Sequence, residues 1–164
     1  MKITKNPFKP SIKRKWIIRY MEKSRYLLQK QKEDYMLFYN GNNWISIFFD
    51  KLNNDVFYLS TQWKVSDDLD RAKILECVDE CKRQIGFRHI EVSFKRGYIR
   101  VRSAIKCRRK RHFRYNLENY ASLSAKYYHR IKKIYLNFDE AMKQRDEAYE
   151  RCLYRERNQA NEMT

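Results

Sequence analysis

Only three glycines and two prolines punctuate the 164 residues. So few chain breakers exclude long loops and a sandwich built on many tight turns. No Gly-rich phosphate loop and no G-x-S-x-G motif occurs. Histidine is as scarce, with His89, His112 and His129 the three in the chain. None stands beside a nucleophile motif. The expectation is a protein that is not an enzyme, with no catalytic residue, no cofactor and no small-molecule substrate.

Cysteine and apolar runs are also in short supply. Cys77, Cys81, Cys107 and Cys152 are the four cysteines, too few and too scattered for a disulfide framework. Cys77 and Cys81 are four apart, and with Cys107 and His89 or His112 they can be drawn as a zinc set. But no C-x₂-C pair occurs, and both fall on an apolar helical stripe, where cysteine acts as a small hydrophobe. No metal ligand is assigned. The longest apolar runs, Trp44 to Phe49 and Val56 to Leu59, have strand length and fall far short of the ~18 residues of a membrane span. No apolar segment of a secretory signal follows the basic N-terminus. The chain reads as intracellular and cytoplasmic.

Basic charge and aromatic rings are abundant. Lys and Arg number 37 against 20 Asp and Glu, giving +17, and the rings are 13 Tyr, 9 Phe and 3 Trp. The charge is unevenly spread. Residues 139–164 hold five bases and seven acids, a net −2, whereas residues 1–138 hold 32 bases and 13 acids, a net +19. A field of that size attracts polyanions: nucleic acid, anionic lipid or an acidic protein segment. The rings bury large areas and supply a core despite the charge.

The hydrophobic pattern orders the chain as α-β-β-β-α-β-β-α. Residues 1–11 read as a flexible basic arm, with Ser11 as a helix cap. Ile12, Trp16, Ile17, Tyr20, Met21, Ser24, Leu27, Leu28 and Gln31 keep 3–4 spacing, which predicts a helix over 12–32. Tyr35 to Tyr39 is a strand ending at the hairpin signal Asn40-Gly41. Trp44 to Phe49 puts Ile45, Ile47 and Phe49 on one face and Trp44, Ser46 and Phe48 on the other, so cover on both sides is expected. The turn at 52–55 leads to Val56 to Val65, with Phe57, Leu59, Thr61, Trp63 and Val65 inward. Ser66 is the expected cap of a second helix, with Asp67, Asp68 and Asp70 at its positive end. Ile74, Cys77, Val78, Cys81 and Ile85 form that helix's stripe, and Gly86 its C-terminal cap. Ile90, Val92 and Phe94, the turn at 95–97, then Ile99, Val101, Ser103 and Ile105 make a second hairpin. From Leu117 one helix is predicted to reach Arg157. Tyr127, Ile131, Ile134, Phe138 and Ala141 form its seam, which breaks at Arg145. Three regions follow: the arm, a single α+β domain over 12–145, and a projecting charged tail over 146–164.

This order, with DVFYLSTQWKVS running into DDLDRAKILECVDECKRQIG and then RHIEVSFKRGYIRVRSAIKC, resembles the type III secretion chaperone-like fold. It is similar in particular to the bacterial YbjN-type family over residues 12–140. The resemblance implies a five-stranded antiparallel sheet backed by helices, often dimeric and without a catalytic site. Chaperones of this fold bind extended segments of client proteins. They are acidic, and this chain departs from them in being basic.

Two binding surfaces are candidates. Arg100, Arg102 and Lys106, outward on the last strand, run into Arg108, Arg109, Lys110, Arg111 and Arg114. This set suits a groove that tracks phosphates, with Phe113 and Tyr115 placed to stack on bases. The same run also reads as a solvated connector. Trp44, Phe48, Tyr58 and Tyr98 fall opposite the core stripe. They form a protein-binding or dimer surface if no helix covers them, and a second core layer if one does. The expected function is a non-catalytic protein-binding module of chaperone-like or adaptor type, holding a protein segment or a second copy. The alternative is nucleic-acid binding through the basic patch.

Overall fold

The computed structural model describes residues 10–50, 52, 56–86, 90–106 and 109–163; for residues 10–13 and 110 only the backbone is described. The arm expected over 1–11, most of the 52–55 turn, His89, Cys107 and Arg108 therefore lie wholly or largely outside the described residues.

Helix α1 (Pro10–Lys23) is followed by strands β1 (Leu27–Gln31), β2 (Tyr35–Tyr39), β3 (Asn43–Phe49) and β4 (Val56–Lys64). Then come α2 (Arg71–Ile85), β5 (Ile90–Lys95), β6 (Tyr98–Lys106), α3 (Lys110–Leu136) and α4 (Phe138–Glu162). The strands form one antiparallel sheet in the order β1-β2-β3-β4-β6-β5. The α+β class and the antiparallel sheet stand as expected, but the sheet has six strands, not five.

The extra strand comes from the predicted first helix, which stops at Lys23 instead of running to residue 32. Pro10 is its first residue, a place that needs no N–H, so Ser11 lies inside the helix and is not its cap. At the far end Arg25 takes a left-handed φ of 65°. The Tyr26 N–H then bonds the Met21 carbonyl and the Arg25 N–H the Glu22 carbonyl. These two bonds make a Schellman closure around an arginine instead of a glycine. Leu27 and Leu28, which fit the helical spacing, pair with Tyr39 and Phe38 in β1.

Other elements follow the sequence closely. Asn40 Oδ1 accepts from the N–H groups of Asn42 and Asn43, and Gly41 has a φ of 88°, which closes the β2–β3 hairpin. Arg96 and Gly97, both at positive φ, form the two-residue β5–β6 turn. The cap of α2 is Asp70, not Ser66. Its carboxylate accepts from the N–H groups of Ala72 and Lys73, whereas Ser66 bonds Asp68. Gly86 does carry the positive φ at the helix end.

The long helix predicted from Leu117 differs at both ends of its first half. It begins at Lys110, so Lys110, Arg111 and Arg114 of the basic run lie in its first turns, with Arg109 at its cap. It is interrupted at Asn137, whose φ is −116° and ψ 40°; its N–H and its side-chain amide both donate to the Lys133 carbonyl. At Arg145 the apolar seam gives way to an ionic contact with Glu76 of α2 at 3.5 Å.

One core unites the layers. Met36, Phe38, Ile45, Ile47, Phe57, Leu59, Trp63, Val92, Val101 and Ile105 point from the sheet into it, and Ile17, Met21, Ile74, Val78, Leu117 and Ile131 meet them from the helices. Phe113 is fully buried, edge-on to Trp16 of α1 and Phe57 of β4. The Tyr120 hydroxyl donates to the Val101 carbonyl at 2.7 Å. Its one proton is then spent, so the Thr61 hydroxyl, also 2.7 Å away, donates to it.

Candidate binding face

The contacts that tie helices to the sheet are made on the face of Phe57, Thr61, Trp63 and Val101. The opposite face carries no helix among the described residues. Cover on both sides of β3, expected from its apolar run, is thus not found. The alternation that buries Ile45 and Ile47 leaves Phe48 outward and 40% exposed.

The pairing register sets out this open face row by row. One row runs Tyr35, Phe48, Tyr58, Ala104, and the next Leu37, Ser46, Ser60, Arg102, Glu91. A third runs Leu27, Tyr39, Trp44, Gln62, Arg100, Ser93. Lys106, opposite Val56, lies one step beyond Ala104. The face therefore has an aromatic half on β2–β4 and a basic half on β6. Tyr39 stacks on Trp44 at 4.3 Å, and Tyr35 tilts against Phe48 at 5.6 Å. Tyr58, 45% exposed, donates from its hydroxyl to Asp50 at 2.9 Å, and that carboxylate's bond and charge push the phenol pKa up.

Between the halves lies a shallow groove of about 910 Å³, lined by Phe48, Tyr58, Ser60, Gln62, Arg100 and Arg102 among others. Small residues make it, since Ser60 and Ala104 stand between larger neighbours. Arg100, Arg102 and Lys106 form no ion pair or side-chain hydrogen bond with any described residue. Strand geometry spaces Arg100 from Arg102 by about 6.6 Å and Arg102 from Lys106 by about 13 Å along the chain.

The two sequence-predicted sets are thus partly fused. Trp44, Phe48, Tyr58 and Tyr98 share a face with Arg100, Arg102 and Lys106. Arg109, Arg111 and Arg114 do not. They ride on the first turns of α3, which packs against the covered face through Phe113. Arg109 and Arg111 are exposed there, while Arg114 pairs with Glu118 at 3.2 Å and lies over the Tyr20 ring. Phe113, proposed to stack on bases, is a core residue instead; Tyr115 stays exposed. Arg108 and the Lys110 side chain lie outside the described residues.

Ser60 and Gln62 were not singled out by sequence. Alternation places them outward with Tyr58, but only the pairing of β4 with β6, across an intervening helix and hairpin, sets them against Arg102 and Arg100. Cys77 and Cys81 are buried, and burial pushes their thiols up to about 11 and about 12. Such thiols hold their protons at neutral pH. Among the described residues no group of three His, Cys, Asp or Glu is gathered as for a metal. No described helix is long and apolar enough to cross a membrane. No family model, curated protein or solved structure matches this chain.

Proposed function

We propose that the open sheet face binds single-stranded nucleic acid, with the aromatic half stacking bases and the basic half following the phosphates. One observation carries this reading: Arg100, Arg102 and Lys106, without an ion pair among the described residues, share a face that no described helix covers with the exposed rings of Phe48 and Tyr58. Solubility alone does not place unpaired cations beside exposed aromatics. Stacking tolerates any base, and cations on one strand recognise a backbone without reading sequence. The net charge of +17 supplies long-range attraction.

The test is fluorescence anisotropy of a labelled oligothymidylate across a salt series. Binding is expected at low salt, with log affinity falling linearly against log salt by roughly 0.7 per phosphate neutralised. Phe48→Ala and Tyr58→Ala should each weaken it by roughly 1–3 kcal/mol if its ring stacks on a base. An oligonucleotide that fails to bind at low salt, or binds both variants as well as wild type, sinks the reading.

A second reading is favoured by the outer end of the same face. Leu27, 61% exposed on the edge strand β1, continues the Tyr39–Trp44 stack. An apolar surface ending at an unpaired strand edge suits a protein partner. The non-catalytic chaperone-like or adaptor role implied by the YbjN-type resemblance would place a second copy of the chain there. Sedimentation equilibrium separates the two: a dimer dissociated by Leu27→Lys favours this reading, and a monomer removes it.

A further inference from the structure

We infer that the groove between β4 and β6 contains a built seat for one singly charged phosphodiester group. This rests on the nucleic-acid reading for its occupant but on separate observations for its geometry. Among the described residues, two buried side-chain polar atoms lack a hydrogen-bond partner, and they are Ser60 Oγ and Arg100 Nε. Both residues line the same groove. Ser60 is only 5% exposed, so its hydroxyl is almost shut off from bulk water. Buried polar groups are paired in nearly all folded proteins, and a lone one calls for an explanation. Two in one groove, one from each strand, point to a missing acceptor.

The register defines what that acceptor must be. Ser60 faces Arg102 and Gln62 faces Arg100 on the neighbouring strand. A hydroxyl, a carboxamide and two guanidinium groups therefore line one stretch of the groove and offer donors from both strands. An apolar ligand would leave Ser60 Oγ and Arg100 Nε unpaired, and a cation would meet two arginines. A phosphodiester splays two charged oxygens from a tetrahedral phosphorus and adds two weaker ester oxygens outside their plane, so it can accept from both strands, where a flat carboxylate has its two oxygens alone in one plane. Glu91 lies opposite Arg102 on β5. Two arginines and one glutamate give the seat a formal charge of +1, which matches a monoanionic diester better than a dianionic free phosphate.

The test uses the full chain and dimethyl phosphate as a monoanionic probe, with inorganic phosphate and acetate at matched ionic strength. The Arg100 Nε–H resonance is followed by nitrogen-15 NMR. Dimethyl phosphate should shift it saturably and at lower concentration than either control, and Ser60→Ala should weaken that binding roughly three- to tenfold. The variant loses only an unpartnered hydroxyl, so its melting temperature should not fall. A non-saturating shift, an equal response to acetate, or no effect of Ser60→Ala overturns the seat. Tighter binding of inorganic phosphate would overturn the diester assignment in favour of a free phosphate or monoester. In the oligothymidylate assay Ser60→Ala should weaken affinity by the same factor without changing the salt slope, since a neutral group releases no counterion. Arg100→Gln should lower that slope by about 0.7. If the oligonucleotide binds wild type and Ser60→Ala alike, the seat fails and the nucleic-acid reading stands. If dimethyl phosphate saturates the seat but no oligonucleotide binds, the seat stands and that reading falls.

Discussion

Single residues in this chain change meaning with burial. Phe113 and Tyr115 are two apart in the same basic run, yet the first is fully buried against Phe57 and the second is 64% exposed. Cys77 and Cys81 show the same effect in their chemistry. Burial raises both thiols from 9.0, to about 11 and about 12 respectively. A raised folded pKa means that the unfolded chain loses the proton first. Their stabilising contribution is thus complete below pH 9 and fades as pH climbs through 11 and 12. Tyr20, raised to about 12 by burial and by Glu118, acts in the same direction above pH 10. Urea unfolding should therefore give a falling midpoint between pH 8 and pH 11. The double variant Cys77→Ala with Cys81→Ala should lose on the order of 1 kcal/mol per site at pH 8 from the cavities left. Its further loss up to pH 11 should be smaller than that of wild type, because two of the ionising groups are gone. An identical alkaline decline in both proteins would contradict the raised thiols.

Elements were legible where one residue type marks their ends. Asn40-Gly41 and Arg96-Gly97 announce hairpins, and the alternation through Trp44 to Phe49 and Val56 to Lys64 names the inward residues correctly. The boundary at Lys23 was not legible because its left-handed residue is Arg25, which carries no turn signal. Leu27 and Leu28 fit a helical period and a strand period equally well, so periodicity cannot choose between them. The interruption at Asn137 is equally silent in the pattern: its backbone departs to φ −116° and ψ 40° while its N–H still bonds the Lys133 carbonyl. Arg25 is consequently a place where sequence and backbone disagree. A left-handed non-glycine residue costs about 1–2 kcal/mol, and glycine's extra unfolded entropy returns about 0.5–1. Arg25→Gly should accordingly stabilise the fold by about 0.5–1 kcal/mol, seen as a higher urea midpoint with an unchanged slope. A destabilised variant would mean that the arginine side chain contributes more than its backbone strain costs.

At the scale of the molecule the question is which basic surface a polyanion meets. Sequence joined Arg100 to Arg114 into one patch because they are contiguous in the chain. The fold divides them, leaving Arg100, Arg102 and Lys106 on the open sheet face and carrying Arg109, Arg111 and Arg114 away on α3. The division follows from Phe113, whose burial turns the start of α3 onto the covered face. The two groups differ in what accompanies them. The sheet cations stand beside exposed rings and have no acidic partner within pairing distance among the described residues, whereas Arg114 is already held by Glu118. Cations at the start of α3 also meet the positive end of its dipole, which adds to the field there, and Tyr115 is the one exposed tyrosine ring among the first turns of that helix. Long-range attraction depends on the total charge, but tight association depends on where phosphates and bases are satisfied together. Removing Arg100, Arg102 and Lys106 as glutamines should lower the salt slope for oligothymidylate by roughly 2, at about 0.7 for each phosphate that is no longer neutralised. Replacing Arg109 and Arg111 by serine removes nearly as much charge, yet it should shift affinity at low salt while leaving the slope within about 0.7 of wild type. The reverse ranking would place the polyanion on the helical side and leave the open sheet face to a protein partner.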